Sequence, residues 1–172
     1  IKVKYYIDDV FAENKYEGNP LAVFIPDRKI ETAEMQKIAR EMNFSETTFI
    51  MSDIQDNGGY DVKIFSPDSE LPFARHPTLG TSYVIKNLLN RSVSNEIKLN
   101  LPVGQIPVVF EDQYAWMTQN QPEFGTNVEI DRIVAELQIK REDVNDDFPI
   151  QVVSTGLPCV IVPLNSLDAV SR

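Results

Sequence analysis

Residues 72–90 read PFARHPTLGTSYVIKNLLN, and this stretch decides the fold. It holds the only histidine of the chain, His76, which is followed directly by Pro77. Proline is tolerated in the first turn of a helix because its missing N–H would have no intrahelical partner there. The pattern therefore predicts a helix over 76–90, with His76 near the N-cap and Pro77 near N1. Apolar residues cover most of its circumference, which indicates a helix enclosed by other elements.

Strand-like segments lie on both sides of this helix. Residues 1–7 alternate with period two, with Ile1, Val3, Tyr5 and Ile7 on one face, which is typical of a half-buried strand. The turn sequence DNGG at 56–59 predicts a hairpin, and residues 33–42 predict an amphipathic helix with Thr32 as its N-cap. Further strands are indicated by LAVFI, TTFIM, YDVKIF, EIKLNLPV, IPVVFE and YAWMTQ. Many strands and few helices, without regular alternation, predict an α+β fold with a sheet wrapped around the 76–90 helix.

A polar connection follows the first group of strands. The segment QNQPEFGTNV at 119–128 contains Pro and Gly and is the candidate domain boundary. A short amphipathic helix and two strands, IQVVSTG and PCVIVPL, come after it. We place an N-terminal half-domain at 1–122 and the linker with the start of a second half-domain at 123–172.

Composition and charge exclude several classes of function. The 172 residues include 16 Lys and Arg against 26 Asp and Glu, a formal net charge of −10. Nucleic acids and anionic membranes require a positive patch, so neither is an expected partner. No apolar run reaches membrane-spanning length, and charges interrupt the N-terminal stretch IKVKYYIDDVF, which does not read as a signal peptide. The expected location is the cytoplasm.

The chain contains too few soft ligands for a metal site. One histidine and one cysteine exclude a cysteine-rich zinc site and an internal disulfide. Cys159 lies in an apolar strand segment and is expected to be a buried structural thiol. No metal and no cofactor are expected.

Two sites could carry chemistry. The N-terminus of the 76–90 helix favours a bound carboxylate or phosphate, and Gly80 and Thr81 would lie in or beside its first turn. In the alternative interpretation, His76 only caps the helix and Gly80 only packs against a strand. Local pattern leaves both open.

The second candidate is Glu46 in NFSETTF, residues 43–49. It lies between a helix end and an apolar strand, beside Ser45. Partial desolvation there would raise the pKa of its carboxyl group toward a value useful for general acid–base catalysis. The alternative is an ordinary solvated loop glutamate.

Taken together, the segments resemble a known family. Six of them occur in the order seen in the phenazine-biosynthesis PhzF-like family: YYIDDVFAENKYEGNPLAVF, MQKIAREMNFSETTFI, FSPDSELPFARHPTLGT, VGQIPVVFED, WMTQNQPEFG and VVSTGLPCVIVPL. The most specific pieces are GNPLAVF, NFSET and HPTLGT. The resemblance implies the diaminopimelate epimerase-like fold, in which two similar halves each wrap a sheet around a central helix and the active site lies between them.

The resemblance also implies an activity. The family is associated with isomerisation of a small acidic metabolite by proton movement, without cofactor or metal. Glu46 would then be the proton shuttle, and His76 would hydrogen-bond or polarise the substrate. The related epimerases that use two cysteines are a poorer match, because Cys159 is not in such a motif. A homodimer is expected, and the positions expected to bind substrate are Asn19, Ser45, Arg75, Gly80 and Thr81.

Two departures from the family pattern leave an alternative open. Arg75 stands where the family usually has glycine, and it could block the cleft or pair with a substrate carboxylate. Residues 129–172 match only the opening of the family's second half, so we expect either a fragment or a natural truncation. The alternative function is a non-catalytic binding or self-associating protein that keeps the scaffold.

Overall fold

The computed structural model describes residues 3–89 and 94–171. The strands are β1 Lys4–Val10, β2 Asn19–Ile25, β3 Glu46–Ile50, β4 Gly59–Phe65, β5 Glu70–Leu71, β6 Glu96–Leu101, β7 Gly104–Glu111, β8 Tyr114–Met117, β9 Glu123–Asn127, β10 Gln151–Ser154 and β11 Pro158–Ile161. The α-helices are α1 Thr32–Met42, α2 Arg75–Val84, α3 Ile130–Leu137 and α4 Leu167–Ser171. The chain divides into two compact units between Gln119 and Asn120.

The first unit is a curled sheet around α2. Its strand order is β1-β2-β3-β4-β6-β7-β8, and β5 pairs with β4. The pairs β2–β3 and β4–β6 are parallel, and the other pairs are antiparallel. The two strands at the ends of this order, β1 and β8, both contact α2. The sheet therefore curls around the helix, which confirms the predicted α+β architecture.

The two faces of the sheet bury different side chains. The inner face packs around α2, and its buried core includes Leu21, Val23, Val62 and Leu99. The outer face is covered by α1, where Met35 and Ala39 belong to a second cluster with Phe24, Phe49 and Phe65. This arrangement follows from the strict alternation of side chains along β2 and β4.

Small residues let α2 lie close to the strands. The hydroxyl groups of Thr78 and Ser82 donate to carbonyl oxygens one turn earlier in the helix, each at 2.8 Å. The hydroxyl groups of Thr81 and Thr48 lie 2.8 Å apart across the buried helix–sheet contact. At Gly80, an added Cβ would come within 2.7 Å of both Leu21 and Val10. These four buried hydroxyls are therefore satisfied. Glycine at position 80 is required for the close approach of helix and sheet.

The bounds of the central helix differ from the prediction. Ala74, which has an extended backbone, is the N-cap, so Arg75, His76 and Pro77 are the first three helical residues. The Ala74 carbonyl accepts the first intrahelical hydrogen bond, from the N–H of Thr78 at 3.3 Å. The α-helix ends at Val84 and continues as a π-helical turn, Ile85–Leu89; residue 90 lies outside the described residues.

The predicted enclosure of this helix holds only for its first part. Tyr83, Leu88 and Leu89 are exposed, whereas the first two turns are mostly buried.

Two other local predictions were wrong. The N-cap of α1 is Glu31, because Thr32 is already the first helical residue. The Thr32 hydroxyl accepts a hydrogen bond from Lys63 Nζ at 3.2 Å. On β1, Tyr5 and Ile7 are 49% and 56% exposed. The inner face of this edge strand carries its even-numbered residues, and Ile1 lies outside the described residues.

The second unit is a small sheet with short helices. Its strand order is β11-β10-β9, all antiparallel, and a 3-10 turn lies at Arg141–Asp143. Cys159 is exposed on β11, so the predicted buried thiol was wrong; all four residues of β11 are exposed. The predicted half-domain boundary at 122/123 stays a prediction. Across residues 3–89 and 94–171, no helix is long and apolar enough to span a membrane.

Candidate functional site

Three polar side chains from three elements meet at one edge of the curled sheet. Asn19 is the first residue of β2, Glu46 is the first residue of β3, and His76 lies in the first turn of α2. Asn19 Nδ2 lies 3.2 Å from His76 Nδ1. On the other side of the ring, Glu46 Oε2 lies 3.4 Å from His76 Nε2. The imidazole is therefore held between an amide and a carboxylate.

The parallel pairing of β2 and β3 brings these residues together. Leu21 is the partner of Glu46 in this pairing, so both strands begin at the same edge of the sheet. The N-terminus of α2 reaches this edge, and the buried contact between Thr48 and Thr81 fixes the helix over β3. His76 therefore lies over the beginning of both strands.

The GNP sequence, Gly18 to Pro20, allows the loop before β2 to pass close to the backbone at the end of β1. Gly18 has a φ of +81°, and an added Cβ would collide with the carbonyl oxygen of Val10. Glycine adopts this backbone conformation without the steric cost that other residues incur. Pro20 in turn favours an extended backbone at Asn19. The turn thus delivers the amide of Asn19 to the edge where His76 lies.

The facing atoms of Glu46 and His76 are buried and unsatisfied. Their side chains are 19% and 9% exposed, respectively. Among the described residues, neither Glu46 Oε2 nor His76 Nε2 has a hydrogen-bond partner. They are close at 3.4 Å but not aligned as a hydrogen bond. Buried polar atoms without partners are rare in native proteins and are expected where a ligand completes the bonding.

Burial sets the charges of this pair. Desolvation lowers the pKa of His76 from 6.5 to about 4, so the ring is neutral at neutral pH. Desolvation also raises the pKa of Glu46, since burial disfavours the ionised carboxylate. The close approach is therefore not an ion pair at neutral pH, because the imidazole is neutral. A carboxylate with a raised pKa is a stronger base than one in water and can exchange a proton with a carbon acid.

A second partly buried carboxylate, that of Asp8, lies on the same face of the sheet, and sequence reasoning missed it. Asp8 pairs with Leu21, which in turn pairs with Glu46, so the three side chains form one row across β1, β2 and β3. Asp8 Oδ2 would lie 3.0 Å from a Cβ at Gly80. Burial, and then the charge of Asp9, raises the pKa of Asp8. The only sequence signal for this carboxylate was the position of Asp8 within the alternating pattern of an edge strand.

The other predicted residues lie at different depths. Arg75 is exposed, and its Nε donates to Gln119 Oε1 at 3.4 Å. Ser45 is exposed beside Glu46. Gly80 and Thr81 are buried in the second turn of α2, the turn next to the first. Substrate binding by these four residues stays a prediction.

Metal ligands do not cluster in the part of the chain that the structure describes. No group of three or more His, Cys, Asp or Glu side chains there could hold an ion.

The model of the phenazine biosynthesis-like protein family matches residues 8–172. The chain belongs to this family. The family match includes the segments that carry Asn19, Glu46 and His76, which confirms the resemblance read from the sequence.

Relatives within the phenazine biosynthesis-like family cover almost the whole chain. The chain is 37% identical over 171 residues to the trans-2,3-dihydro-3-hydroxyanthranilate isomerase of Pseudomonas fluorescens, covering 97% of this chain and 59% of that protein. A solved structure from Pseudomonas aeruginosa, described as a predicted epimerase, has a TM-score of 0.84 and 33% identity. It covers 99% of this chain, which spans 62% of that protein.

A more distant structure shows the extent of the fold. The hydroxyproline epimerase of Agrobacterium vitis has a TM-score of 0.60 and 8% identity, covering 84% of this chain and 48% of that one. At this identity the likeness shows the fold alone. It supports the epimerase-like fold predicted for this member of the phenazine biosynthesis-like family.

Proposed function

We propose that the protein is an isomerase that moves a proton on a small acidic metabolite, with Glu46 as the proton shuttle. The observation that carries this proposal is the pair of buried, unsatisfied atoms, Glu46 Oε2 and His76 Nε2, 3.4 Å apart. The Pseudomonas fluorescens relative is named as an isomerase. The proposal covers the whole protein, of which the chain matches 59% of that relative's length.

The chemistry needs only a base and a hydrogen-bond donor. Glu46 accepts a proton from one substrate carbon, becomes a neutral carboxylic acid, and returns a proton to another carbon. Its raised pKa favours this exchange because burial destabilises the ionised form. Neutral His76 donates a hydrogen bond that stabilises the charge developing on the substrate between the two transfers. The proposed reaction uses side chains of this chain and no cofactor.

An acidic substrate must overcome the charge of the protein. The chain carries a formal net charge of −10, which repels anions at long range. Two local features act in the opposite direction: the N-terminal end of α2, with its unpaired N–H groups, and the exposed guanidinium of Arg75 at its first residue. We propose that Arg75 contacts the substrate carboxylate, with Asn19 and Ser45 nearby.

The first substrate to test is trans-2,3-dihydro-3-hydroxyanthranilate, because the Pseudomonas fluorescens relative is named for its isomerisation. This compound is small and carries a carboxylate. We further propose that the protein acts in the cytoplasm as a homodimer.

A second candidate function rests on Arg75. Arg75 precedes His76 in the first turn of α2, and its exposed side chain donates to Gln119. There it could hold an acidic ligand without turnover. In this alternative the scaffold only binds or self-associates.

One experiment separates the two. The full-length protein is incubated with the candidate substrate in D2O, and deuterium in substrate and product is followed by NMR and mass spectrometry. The isomerase proposal predicts protein-dependent incorporation at a carbon. Saturable binding of the substrate without incorporation would support the binding function and contradict the isomerase.

A further inference from the structure

We infer that Asn19 fixes the tautomer of His76, so that the ring carries its proton on Nε2, the nitrogen that faces Glu46. Asn19 is thus a positioning residue for the site. The catalytic meaning of this inference rests on the proposed function, but the tautomer itself does not.

The first contact that supports it is on the Nδ1 side of the ring. Asn19 Nδ2 lies 3.2 Å from His76 Nδ1. An amide nitrogen can only donate, so a hydrogen bond here requires an unprotonated Nδ1. A neutral imidazole has a single N–H, and the proton must then be on Nε2.

The second contact is independent and lies on the other side. His76 Nε2 faces Glu46 Oε2 at 3.4 Å, and both atoms are buried without a hydrogen-bond partner among the described residues. When Glu46 is ionised, as its role as a base requires, a bare Nε2 lone pair would place two buried acceptors against each other. A proton on Nε2 removes this repulsion. The opposite amide orientation of Asn19 would select the tautomer that creates it.

The tautomer has a defined consequence for chemistry. With the proton on Nε2, His76 is a donor toward the space beside Glu46, and Glu46 is the only base of the pair. With the proton on Nδ1, both groups would be acceptors, and nothing on the ring would stabilise an anionic intermediate. The Asn19 amide, which contacts the ring at Nδ1 and not at Nε2, therefore determines that His76 is the donor and Glu46 the base.

The single histidine makes a direct test possible. His76 is the only histidine among these 172 residues. In protein labelled with ¹⁵N in the histidine rings, comparison with His76→Gln identifies the ring signals of His76. A long-range ¹H–¹⁵N correlation spectrum at pH 8, well above the pKa of about 4, reports which nitrogen is protonated. We expect a protonated Nε2 and an unprotonated Nδ1. A protonated Nδ1, or rapid exchange between two equally populated tautomers, would overturn the inference.

The variant Asn19→Asp strengthens the test. Aspartate has the same shape, but its carboxylate only accepts, so it selects the tautomer with the proton on Nδ1. In this variant we expect a protonated Nδ1 and an unprotonated Nε2, with an unchanged circular dichroism spectrum. Asn14→Asp, an exposed substitution in the same loop, is the control and keeps the wild-type pattern. An unchanged pattern in Asn19→Asp would contradict the inference, and the wild-type spectrum remains decisive should that variant not fold.

Activity provides a readout that can fail separately. In full-length protein that turns over substrate, we expect Asn19→Asp to lower kcat by about 10²-fold, the size of one general acid–base contribution, with a smaller change in KM. An unchanged kcat together with a reversed tautomer would contradict the positioning role. Should no substrate turn over at all, the proposed function fails while the NMR spectrum still decides the tautomer.

Discussion

Glu46 Oε2 and His76 Nε2 face each other at 3.4 Å, buried and without a hydrogen bond between them. A structural ion pair would be aligned and charged, whereas here burial lowers the pKa of His76 to about 4 and keeps the ring neutral. Two unsatisfied polar groups cost stability. Because retaining such groups lowers stability, we interpret the pair as a site where substrate supplies the missing hydrogen bonds.

The burial of His76 predicts a pH dependence of stability. The unfolded chain protonates this ring near pH 6.5, whereas the folded protein does so near 4. Its contribution to stability is thus complete above pH 6.5 and is lost as pH falls through 4. The expected loss is about 3 kcal/mol in the free energy of unfolding. Urea unfolding of wild type and His76→Gln at pH 7.5 and pH 4 measures it.

The raised pKa of Glu46 acts in the opposite direction. Its buried protonated form stabilises the fold at low pH, and this contribution is lost as pH rises through the folded pKa. The comparison is therefore repeated in a Glu46→Gln background, where this opposing effect is absent. An equal pH dependence with and without His76 would show that the ring is not buried as described.

The hydroxyl pair between α2 and β3 predicts non-additive mutations. The Thr48 and Thr81 hydroxyls lie 2.8 Å apart, so Thr81→Val replaces one of them with a methyl group and leaves Thr48 without this partner. We expect a loss of about 1–3 kcal/mol in the free energy of unfolding for each single valine substitution. The double variant should cost less than the sum of the two, because neither unsatisfied hydroxyl remains. Additive losses in denaturant unfolding would argue against the hydrogen bond.

The close approach at Gly80 predicts a loss of stability on adding one methyl group. Alanine favours helix by about 1 kcal/mol over glycine, but its Cβ would lie 2.7 Å from both Leu21 and Val10. We expect Gly80→Ala to destabilise the protein by about 1–3 kcal/mol through overpacking. Adding Leu21→Val relieves one of the two contacts, so thermal unfolding should show a smaller cost of Gly80→Ala in that background. A stabilising Gly80→Ala would show that the helix lies further from the sheet.

The exposed guanidinium of Arg75 predicts an effect on substrate affinity. If Arg75 pairs with a substrate carboxylate, Arg75→Gln should raise KM by about tenfold, equivalent to about 1.4 kcal/mol, with little change in kcat. Arg40→Gln, on the distant helix α1, is the matched control and should leave both constants unchanged. A lower KM in Arg75→Gln would instead show that the side chain obstructs the site.

Local sequence patterns predicted most strands of the first unit but missed β9, which lies in the segment interpreted as a polar connection. Period-two alternation and the DNGG turn predicted β3 and β4, and the structure confirms their antiparallel pairing. The apolar residues around most of the circumference of the 76–90 stretch predicted an enclosed helix, which the curled sheet confirms for its first two turns.

The site itself could not be read from periodicity. Asn19 and His76 are 57 positions apart in the sequence. The parallel pairing places the first residues of β2 and β3 at the same end of the sheet, where α2 begins. Glu46 and His76 each had an ordinary structural interpretation, and the resemblance to a family was needed to connect them. Cys159 was misjudged because an apolar strand pattern does not show whether a second layer covers the strand.

The most direct test of the central claim is deuterium incorporation by Glu46→Gln. Glutamine keeps the size and shape of the side chain but cannot accept a proton from carbon. The matched control is Glu41→Gln, an exposed glutamate near the end of α1. With the candidate substrate in D2O, the account predicts that wild type and Glu41→Gln incorporate deuterium at carbon and that folded Glu46→Gln loses at least 10²-fold in rate. Undiminished incorporation by folded Glu46→Gln would contradict the account.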